Sequence, residues 1–334
     1  MYQFKYPSLI SIFTTNKCNL YCRHCCFGAK PTTEHEMSRE QLLSIIDKIT
    51  ECGIVCLDFS GGEPFTRDDI LDAIEYAFEK GIKSISVATN MLLLDDARIS
   101  RLKNIQDKWK LLYLRISVDG PDAESHEWLR GKGTFVKTIS QIERLKIAGI
   151  NIREMNTVVS KFNYDKIGDT ISLAKKYGIK TSVLLPLIPV GRAKEIDDYV
   201  ISSEEWKKLC LNKKYLEEKY QIEVFADSPV SSTADESKWN KSLPCMCGYQ
   251  FLGITPNGDY TVCPIVSKGD GNIWDITIED YWKNSQLLKN IRDITKLKGK
   301  CKTCTHLNLC RGGCRGLAEI ISGDILKPDP MCWL

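Results

Sequence analysis

Residues 18–26 read CNLYCRHCC, and this segment directly follows the apolar run LISIF. Three of its cysteines, Cys18, Cys22 and Cys25, have the spacing C-x3-C-x2-C on one tight loop. Three thiolates can hold three irons of a four-iron cluster and leave the fourth iron open to a substrate, whereas a closed electron-transfer site uses four cysteines. A zinc site is the alternative, because Cys26 or the histidine within the loop could supply a fourth ligand.

Strand-like and helix-like segments alternate from this loop to about residue 188. After LISIF, the predicted strands are VCLDFS, SISVAT, LLYLRISVDG, INIREMNTVVS and TSVLLPLIP. The predicted helices begin near Ser38, which can form a capping box with Gln41, and then occupy about residues 68–80, 94–105, 134–148 and 163–177. Six such units predict an α/β fold, in which a parallel sheet with outer helices closes into a partial (βα)6 barrel similar to a TIM barrel. Active sites of such barrels lie at the carboxyl ends of the strands.

Polar residues follow these strands at the predicted active-site edge. They are Gly61, Gly62, Glu63 and Pro64 after the second strand, Asn90 after the third, Ser117 and Asp119 after the fourth, and Arg130 in the next segment. Paired glycines let the backbone approach a ligand closely, and a carboxylate suits an ammonium group. Each residue alone also fits a simple turn or a surface charge, so its significance depends on the cysteine loop nearby.

The composition is that of an ordinary globular protein except for its cysteines. The chain has 334 residues, a formal net charge of +3 and 43% hydrophobic residues. So small a charge gives no reason to expect a nucleic-acid partner, and no apolar run approaches the roughly 20 residues that cross a membrane. The N-terminus lacks the apolar core and cleavage site of a signal peptide, so we expect a cytoplasmic protein. Because a reducing cytosol disfavours disulfides, the 15 cysteines indicate metal ligation.

A second set of cysteines lies near the C-terminus. A hairpin is predicted for FLGITPNGDYTV, with Asn257-Gly258 at its turn, and it is flanked by Cys245, Cys247 and Cys263. After a predicted helix at about 278–291, the tail contains Cys301, Cys304, Cys310, Cys314 and Cys332. This tail has little apolar material and can hardly fold by burial alone, so covalent or metal links must hold it.

The cysteine loop and the glycine-rich turn together resemble the radical S-adenosylmethionine (radical SAM) superfamily. C-x3-C-x2-C after a first strand is similar to that family's cluster motif, and Gly61-Gly62-Glu63-Pro64 is similar to its GGEP motif, which binds the amino group of SAM. The resemblance implies that Cys18, Cys22 and Cys25 hold a [4Fe-4S] cluster. The implied reaction is reductive cleavage of SAM into methionine and a 5′-deoxyadenosyl radical, which abstracts a hydrogen atom from the substrate.

The same resemblance implies roles for the polar residues of the later strands. Ser117 and Asp119 resemble the pair that contacts the SAM ribose in the family. Arg130 resembles the arginine that pairs with the SAM carboxylate, and Asn90 lies where the family has a polar contact to SAM.

The run from Cys245 onward resembles the SPASM domain, a C-terminal extension in one branch of this superfamily. The resemblance implies two auxiliary [4Fe-4S] clusters. The first would take Cys245, Cys247, Cys263 and Cys314. The second would take Cys301, Cys304, Cys310 and Cys332. Only one residue separates Cys245 from Cys247, which is closer than usual, so Cys245 is either a ligand or a bystander.

These patterns predict three parts of the chain: a radical SAM partial barrel at 1–189, a bridging segment at 190–244 and a SPASM domain with two auxiliary clusters at 245–334. The bridge is charged and partly helical at about 203–219. Its basic stretch around Arg192 and Lys194 could meet substrate carboxylates, but such a stretch is usually a solvated face.

The leading functional hypothesis is a peptide maturase that oxidatively cross-links a ribosomally made peptide, with the auxiliary clusters as electron acceptors. Only 17 residues precede Cys18, so we expect leader recognition from a separate leader-binding protein or from the bridge. A one-electron donor such as flavodoxin or ferredoxin would reduce the first cluster. A sulfatase maturase is disfavoured, because Pro264 follows Cys263 where those enzymes have an aspartate, and Phe27 occupies the position of their tyrosine.

Three alternatives stay open. A peptide epimerase needs a thiol that returns a hydrogen atom, and four cysteines have no place in a cluster: Cys26, Cys52, Cys56 and Cys210. A haem-pathway decarboxylase would act on a small molecule instead of a peptide. A non-enzymatic iron–sulfur or zinc scaffold would have no use for the GGEP motif, Ser117 or Arg130.

Overall fold

The computed structural model describes residues 5–33, 36–234, 245–266 and 269–334. Its strands are β1 (Leu9–Thr15), β2 (Cys56–Gly61), β3 (Ser84–Thr89), β4 (Leu112–Ser117), β5 (Ile152–Val159), β6 (Thr181–Pro186), β7 (Glu223–Ala226), β8 (Phe251–Ile254) and β9 (Tyr260–Thr261). They form one sheet with the order β7-β6-β5-β4-β3-β2-β1-β8-β9. Neighbours from β7 to β8 are parallel, and β8 pairs with β9 in antiparallel fashion. The predicted α/β fold with a parallel sheet is therefore confirmed.

The helices of the described ranges are α1 (Arg39–Glu51), α2 (Ile70–Glu79), α3 (Asp96–Lys108), α4 (Ala123–Arg130), α5 (Thr134–Ile147), α6 (Ile167–Lys176), α7 (Ser203–Leu211), α8 (Lys213–Tyr220), α9 (Ile278–Asn284), α10 (Gln286–Arg292), α11 (Leu307–Cys310) and α12 (Arg315–Ser322). The predicted capping box is present at α1, where Ser38 and Gln41 satisfy each other's backbone N–H groups. The long helix predicted for 278–291 is two helices, because the Ser285 hydroxyl accepts the Leu288 N–H and starts a new helix.

The two faces of the sheet have different chemistry because successive strand residues point to opposite sides. The outer face is apolar and packs under the helices; its fully buried residues include Ile12, Phe59, Val87 and Leu114. The opposite face, here called the polar face, carries Ser11, Asp58, Ser86 and Arg115, which contact one another through hydrogen bonds to Asp58. A parallel sheet with helices on one side thus presents a hydrophilic face on the other.

Strands β7 and β8 extend the sheet beyond the six predicted strands. β7 belongs to the predicted bridge and pairs with β6 from Thr181 opposite Glu223. β8 is the first strand of the predicted hairpin and pairs with β1 from Leu9 opposite Phe251. The boundaries at 189 and 244 stay a prediction. Every helix in the described ranges is too short or too polar to cross a bilayer.

Candidate active site

The cysteine loop with Cys18, Cys22 and Cys25 lies between β1 and α1, at the carboxyl end of the sheet. Burial raises the pKa of the Cys18 thiol to about 12, and the neighbouring Cys22 and Cys25 raise it further. Burial likewise raises the pKa of Cys22. Burial thus disfavours ionisation of the Cys18 and Cys22 thiols, so they need a cation to become thiolates, and this is what the irons of a cluster supply. The donor set therefore fits the predicted cluster.

Arg192 holds the cysteine loop from the segment after β6. Its Nε donates to the Cys22 carbonyl at 2.9 Å, its Nη1 donates to the Ala29 carbonyl at 2.6 Å, and its guanidinium lies 3.9 Å from the centre of the Tyr21 ring. The interpretation of Arg192 as a solvated charge is wrong, since the side chain is buried. Gly191 allows this approach, because a Cβ there would lie 2.4 Å from a carbonyl oxygen of the loop.

The glycine pair of the GGEP turn packs against the backbone that leads into the cysteine loop. The Gly62 N–H donates to the Thr15 carbonyl and the Glu63 N–H to the Lys17 carbonyl, each at 2.8 Å. A Cβ at Gly62 would lie 2.0 Å from the Lys17 oxygen, and Gly61 has φ +110°, which favours glycine. Within the chain, the glycines thus bring β1 and the turn after β2 together.

Both oxygens of the Glu63 carboxylate accept hydrogen bonds from within the protein. Its Oε1 accepts the Phe65 N–H at 3.1 Å and the Thr89 hydroxyl at 2.8 Å, and its Oε2 accepts the Asn90 N–H at 2.7 Å. Burial raises the pKa of Glu63 to about 7 although these hydrogen bonds oppose the rise. The contact expected between the GGEP turn and the SAM amino group stays a prediction. The Glu63 side chain fixes the end of β3, while Pro64 begins the short turn Pro64–Thr66.

Asn90 is brought to the cysteine loop by that arrangement. Its Nδ2 donates to Asn19 Oδ1 at 2.8 Å and lies 3.9 Å from Cys18 Sγ. Its Oδ1 accepts the Leu92 N–H at 3.0 Å, which fixes the orientation of the amide. The sequence placed Asn90 near a ligand, and the structure places it beside a predicted cluster cysteine.

Asp119 and Arg130 form a buried ion pair below the cysteine loop. Arg130 Nε lies 2.6 Å from Asp119 Oδ2, and His24 Nε2 lies 3.5 Å from the same oxygen. Asp119 Oδ1 accepts the Val158 N–H at 2.8 Å. Burial acts to raise the pKa of Asp119, but the Arg130 charge outweighs it and the pKa lies below its usual value. Asp119 is fully buried and holds Arg130 in place, while its predicted ribose contact stays a prediction.

Ser117 is the last residue of β4 and is half-buried on the polar face, opposite Asn156 of β5. The Asn156 amide oxygen is buried and has no hydrogen-bond partner among the described residues. The sequence patterns did not indicate Asn156 as a ligand contact. The feature that could have indicated it is a polar side chain within a strand of alternating burial. A ligand that lies over Ser117 would meet this oxygen, and for that reason we add Asn156 to the candidate contacts.

The cysteines of the tail line two cavities. Cys245, Cys247, Cys263 and Cys314 line one cavity together with Cys310, and it is here called the first auxiliary cavity. Cys301, Cys304, Cys310 and Cys332 line a second auxiliary cavity of about 370 Å³. Because Cys310 borders both cavities, the division of the thiols between two clusters stays a prediction. In the described ranges, no three Cys, His, Asp or Glu side chains converge as ligands of one metal ion, whereas the ligands of a cluster bind separate irons around a larger core. Both cavities fit that donor set.

Cys245 belongs to its cavity and is not isolated from the other thiols. A hydrogen bond with Cys247 lowers the pKa of Cys245 and, with a second one to Cys263, raises the pKa of Cys247. The four cysteines without a predicted place in a cluster, here called the spare cysteines, are more scattered. Cys210 is buried on α7, Cys52 ends α1, and Cys56 begins β2 at the end remote from Gly61. Only Cys26, next to Cys25, lies in the cysteine loop.

Comparison with known proteins gives family matches along most of the chain. The model of the Radical SAM superfamily matches residues 12–174, and that of the SPASM iron–sulfur cluster-binding domain matches residues 245–305. An AdoMet-dependent heme synthase of Nitratidesulfovibrio vulgaris is 30% identical, over 97% of this chain and 91% of that protein. Mycofactocin maturase MftC of Mycolicibacterium smegmatis is 28% identical, over 98% of this chain and 82% of that one.

A solved structure has the same fold. SuiB of Streptococcus suis, bound to its precursor peptide SuiA, superposes with a TM-score of 0.82 at 20% identity, over 99% of this chain and 77% of that chain. At this identity the likeness concerns the fold alone. The fold is therefore shared with a protein that has been seen with a peptide.

Proposed function

Because this chain belongs to the radical SAM superfamily and carries a SPASM iron–sulfur domain, we propose that it cleaves SAM and oxidatively cross-links a ribosomally made peptide. Membership implies SAM and iron–sulfur clusters as cofactors. The finer assignment is one cluster on Cys18, Cys22 and Cys25 and one in each auxiliary cavity. When bound, the first cluster supplies the electron that cleaves SAM, and the SAM-derived radical abstracts a hydrogen atom.

The residues of the chain bind and orient SAM beside the cysteine loop. Arg130 offers its guanidinium to the SAM carboxylate while Asp119 holds it in place. The backbone of Gly61 and Gly62 lies close to the loop and suits the SAM amino group, and Ser117 and Asn156 line the polar face where the ribose and base would lie. Each of these contacts stays a proposal.

The charge balance of the polar face is the observation that favours a peptide over a porphyrin. Arg115 Nη2 lies 2.6 Å from Asp58, and Arg153, which stacks beside this face, lies 3.7 Å from Glu154. Both guanidiniums are thus already paired. Asp227, directly after β7, adds a third carboxylate near Arg115 and Glu154 that has no hydrogen-bond partner in the described ranges, although burial raises its pKa above the usual value. A haem precursor carries several propionate carboxylates, which this surplus of negative charge would repel. Neutral or basic peptide side chains suit it better.

Two auxiliary cavities support an oxidative reaction. Forming a cross-link removes two hydrogens from the peptide: the SAM-derived radical takes one as an atom, and the other leaves as a proton and an electron. A cluster in an auxiliary cavity can accept that electron. The reaction then balances without an added oxidant.

A haem-precursor reaction is the second candidate, since relatives at 28–30% identity over nearly the whole chain are AdoMet-dependent heme synthases. Peptide epimerisation is supported less, because Cys26 is the one spare cysteine that the described structure places near the reaction site. Leader recognition by a separate protein and reduction by flavodoxin or ferredoxin remain part of the proposal.

The test is to co-express the chain with the short peptide encoded beside its gene and to weigh the peptide, in ordinary and in heavy water. Loss of two hydrogens would support an oxidative cross-link. Unchanged mass with one deuterium gained in heavy water would support epimerisation instead. An unmodified peptide in both solvents, together with decarboxylation of added iron coproporphyrin III, would overturn the peptide proposal in favour of the haem candidate.

A further inference from the structure

Arg315 lies between the two auxiliary cavities. It is the first residue of α12 and directly follows Cys314, lines the first auxiliary cavity, and is only 7% exposed. Its Nη1 donates to the carbonyls of Ile325 at 2.8 Å and Lys327 at 2.7 Å. Its Nη2 is buried and has no hydrogen-bond partner in the part of the chain that the structure describes. One half of the guanidinium is therefore fixed by the tail, and the other half is unsatisfied.

The guanidinium of Arg315 lies close to both cavities. Arg315 itself lines the first auxiliary cavity, and Gly312 lines the second. A Cβ at Gly312 would lie only 3.0 Å from Arg315 Nη2, so the guanidinium packs directly against this glycine. One permanent cation is thus placed beside both groups of cysteines.

Asp329 is a buried acid in this region, but it forms no ion pair with Arg315. It is 2% exposed, its Oδ2 accepts the Cys314 N–H at 2.7 Å and its Oδ1 accepts the Met331 N–H at 2.8 Å. A buried guanidinium nitrogen without an acceptor is costly. An anionic iron–sulfur core in the first auxiliary cavity would provide acceptor sulfurs, and both a nearby positive charge and hydrogen bonds to sulfur raise the reduction potential of such a core.

We propose that Arg315 is a positioning residue for electron transfer, which donates a hydrogen bond from Nη2 to the cluster in the first auxiliary cavity and favours its reduced state. The inference builds on the proposed oxidative function. In that reaction the substrate radical gives one electron to this cluster, whose charge becomes more negative by one, and the proton released on bond formation passes to water. Arg315 stabilises the added negative charge.

The test is a redox titration of the cluster-loaded protein followed by electron paramagnetic resonance, on wild type, Arg315→Gln and Arg315→Lys. Arg315→Gln keeps one donor for the tail carbonyls but removes the charge. We expect its auxiliary cluster to be at least tenfold harder to reduce, a shift of about 59 mV to lower potential. Arg315→Lys keeps the charge and should restore more than half of that shift. Equal potentials in wild type and Arg315→Gln, at equal iron content, would overturn the proposal.

Arg292→Gln is the matched control. Arg292 also donates to two backbone carbonyls, those of Gly248 and Trp282, and also has a buried Nη2 without a partner, but it does not line either auxiliary cavity. A shift in Arg292→Gln as large as that in Arg315→Gln would mean that loosened packing, and not the charge of Arg315, changes the potential.

A measurement that leaves Arg315 in place covers the case in which Arg315→Gln does not fold or load iron. Wild-type protein labelled with nitrogen-15 arginine is reduced, and pulsed paramagnetic resonance detects nitrogen nuclei that couple to the auxiliary cluster. The proposal is supported by a coupling of the size expected for a hydrogen-bonded guanidinium nitrogen. This coupling should be unchanged in labelled Arg311→Gln, since Arg311 is the other arginine that lines the first auxiliary cavity. The absence of any such coupling overturns the proposal. Because these readouts need no peptide, they are independent of whether the peptide is cross-linked.

Discussion

Glu63 Oε2 accepts the backbone N–H of Asn90 at 2.7 Å, and this hydrogen bond joins the turn after β2 to the end of β3. The Asn90 side chain in turn reaches Cys18. The acidic residue of the GGEP turn is therefore linked to the predicted cluster cysteine Cys18 through Asn90. This relationship has a direct experimental consequence.

We expect Glu63→Gln to destabilise the protein by about 1–3 kcal/mol. Both carboxylate oxygens of Glu63 accept hydrogen bonds, whereas a glutamine amide has one acceptor oxygen, so the variant leaves a buried donor unsatisfied. Denaturant unfolding measures the change. SAM cleavage should fall in parallel. Glu127→Gln is the control, since Glu127 also accepts two backbone N–H groups, from Gly133 and Phe135, but has no hydrogen bond to Asn90 or to Cys18 among the described residues. Wild-type stability combined with lost SAM binding would show instead that the Glu63 carboxylate contacts SAM directly.

Arg192→Lys should weaken the radical cluster without affecting the auxiliary ones. A lysine cannot reproduce the two fixed N–H donors that hold the Cys22 and Ala29 carbonyls or the stacking on Tyr21. We expect SAM cleavage with a chemical reductant to fall by about tenfold or more, as for other residues that orient a metal-binding shell. Lys194→Arg, at an exposed neighbouring position, is the control. Full activity in Arg192→Lys would show that the guanidinium of Arg192 is not needed to hold the cysteine loop in position.

Cys245→Ala should remove about four irons per chain, because Cys245 lines the first auxiliary cavity with the other three cysteines of its proposed cluster, Cys247, Cys263 and Cys314, and each cluster iron takes one thiolate. Iron analysis and resonance spectra of the reduced protein measure the loss. Cys210→Ala, which shortens a buried side chain of α7, serves as the control and should retain all iron. Unchanged iron in Cys245→Ala would identify Cys245 as a bystander.

The stability of the protein should decrease in mild acid because of His126. Burial, assisted by the Arg130 charge, lowers the pKa of His126 to about 4. Since the unfolded state binds the proton more readily between pH 6.5 and 4, the free energy of unfolding falls as the pH falls through this range, by about 2 kcal/mol from pH 7 to 5 for this residue alone.

His126→Asn keeps an acceptor for the Asp119 N–H, which now donates to His126 Nδ1 at 3.3 Å, and removes the titration. Its unfolding free energy should depend less steeply on pH than that of wild type, with a residual slope from His24, whose pKa is also lowered to about 4, chiefly by burial. Denaturant unfolding at pH 7 and pH 5 compares the two proteins. Parallel pH profiles would mean that His126 already carries a proton in the folded state.

Local sequence determined the features that depend on near neighbours in the chain. The spacing of Cys18, Cys22 and Cys25 defines the donor loop. Asn257-Gly258 closes the hairpin of β8 and β9, with Gly258 at φ +85°. Ser38 and Gln41 start α1. The alternation of apolar segments predicted the order of the first six strands, because periodicity reports which face of an element is buried.

The tertiary structure decided the features that join distant parts of the chain. Sequence patterns did not reveal that β7 would lengthen the sheet beyond β6, since its four residues alternate too briefly to be distinguished from a loop. They did not show that the Arg192 side chain is buried. A basic residue is expected to face solvent, and the carbonyl partners of Arg192 in the cysteine loop become known only from the tertiary structure. For Glu63, residue type gave a correct position and an incomplete role: the direction of its carboxylate depends on the end of β3, 26 residues away at Thr89, and only the packed sheet brings that end within hydrogen-bond distance.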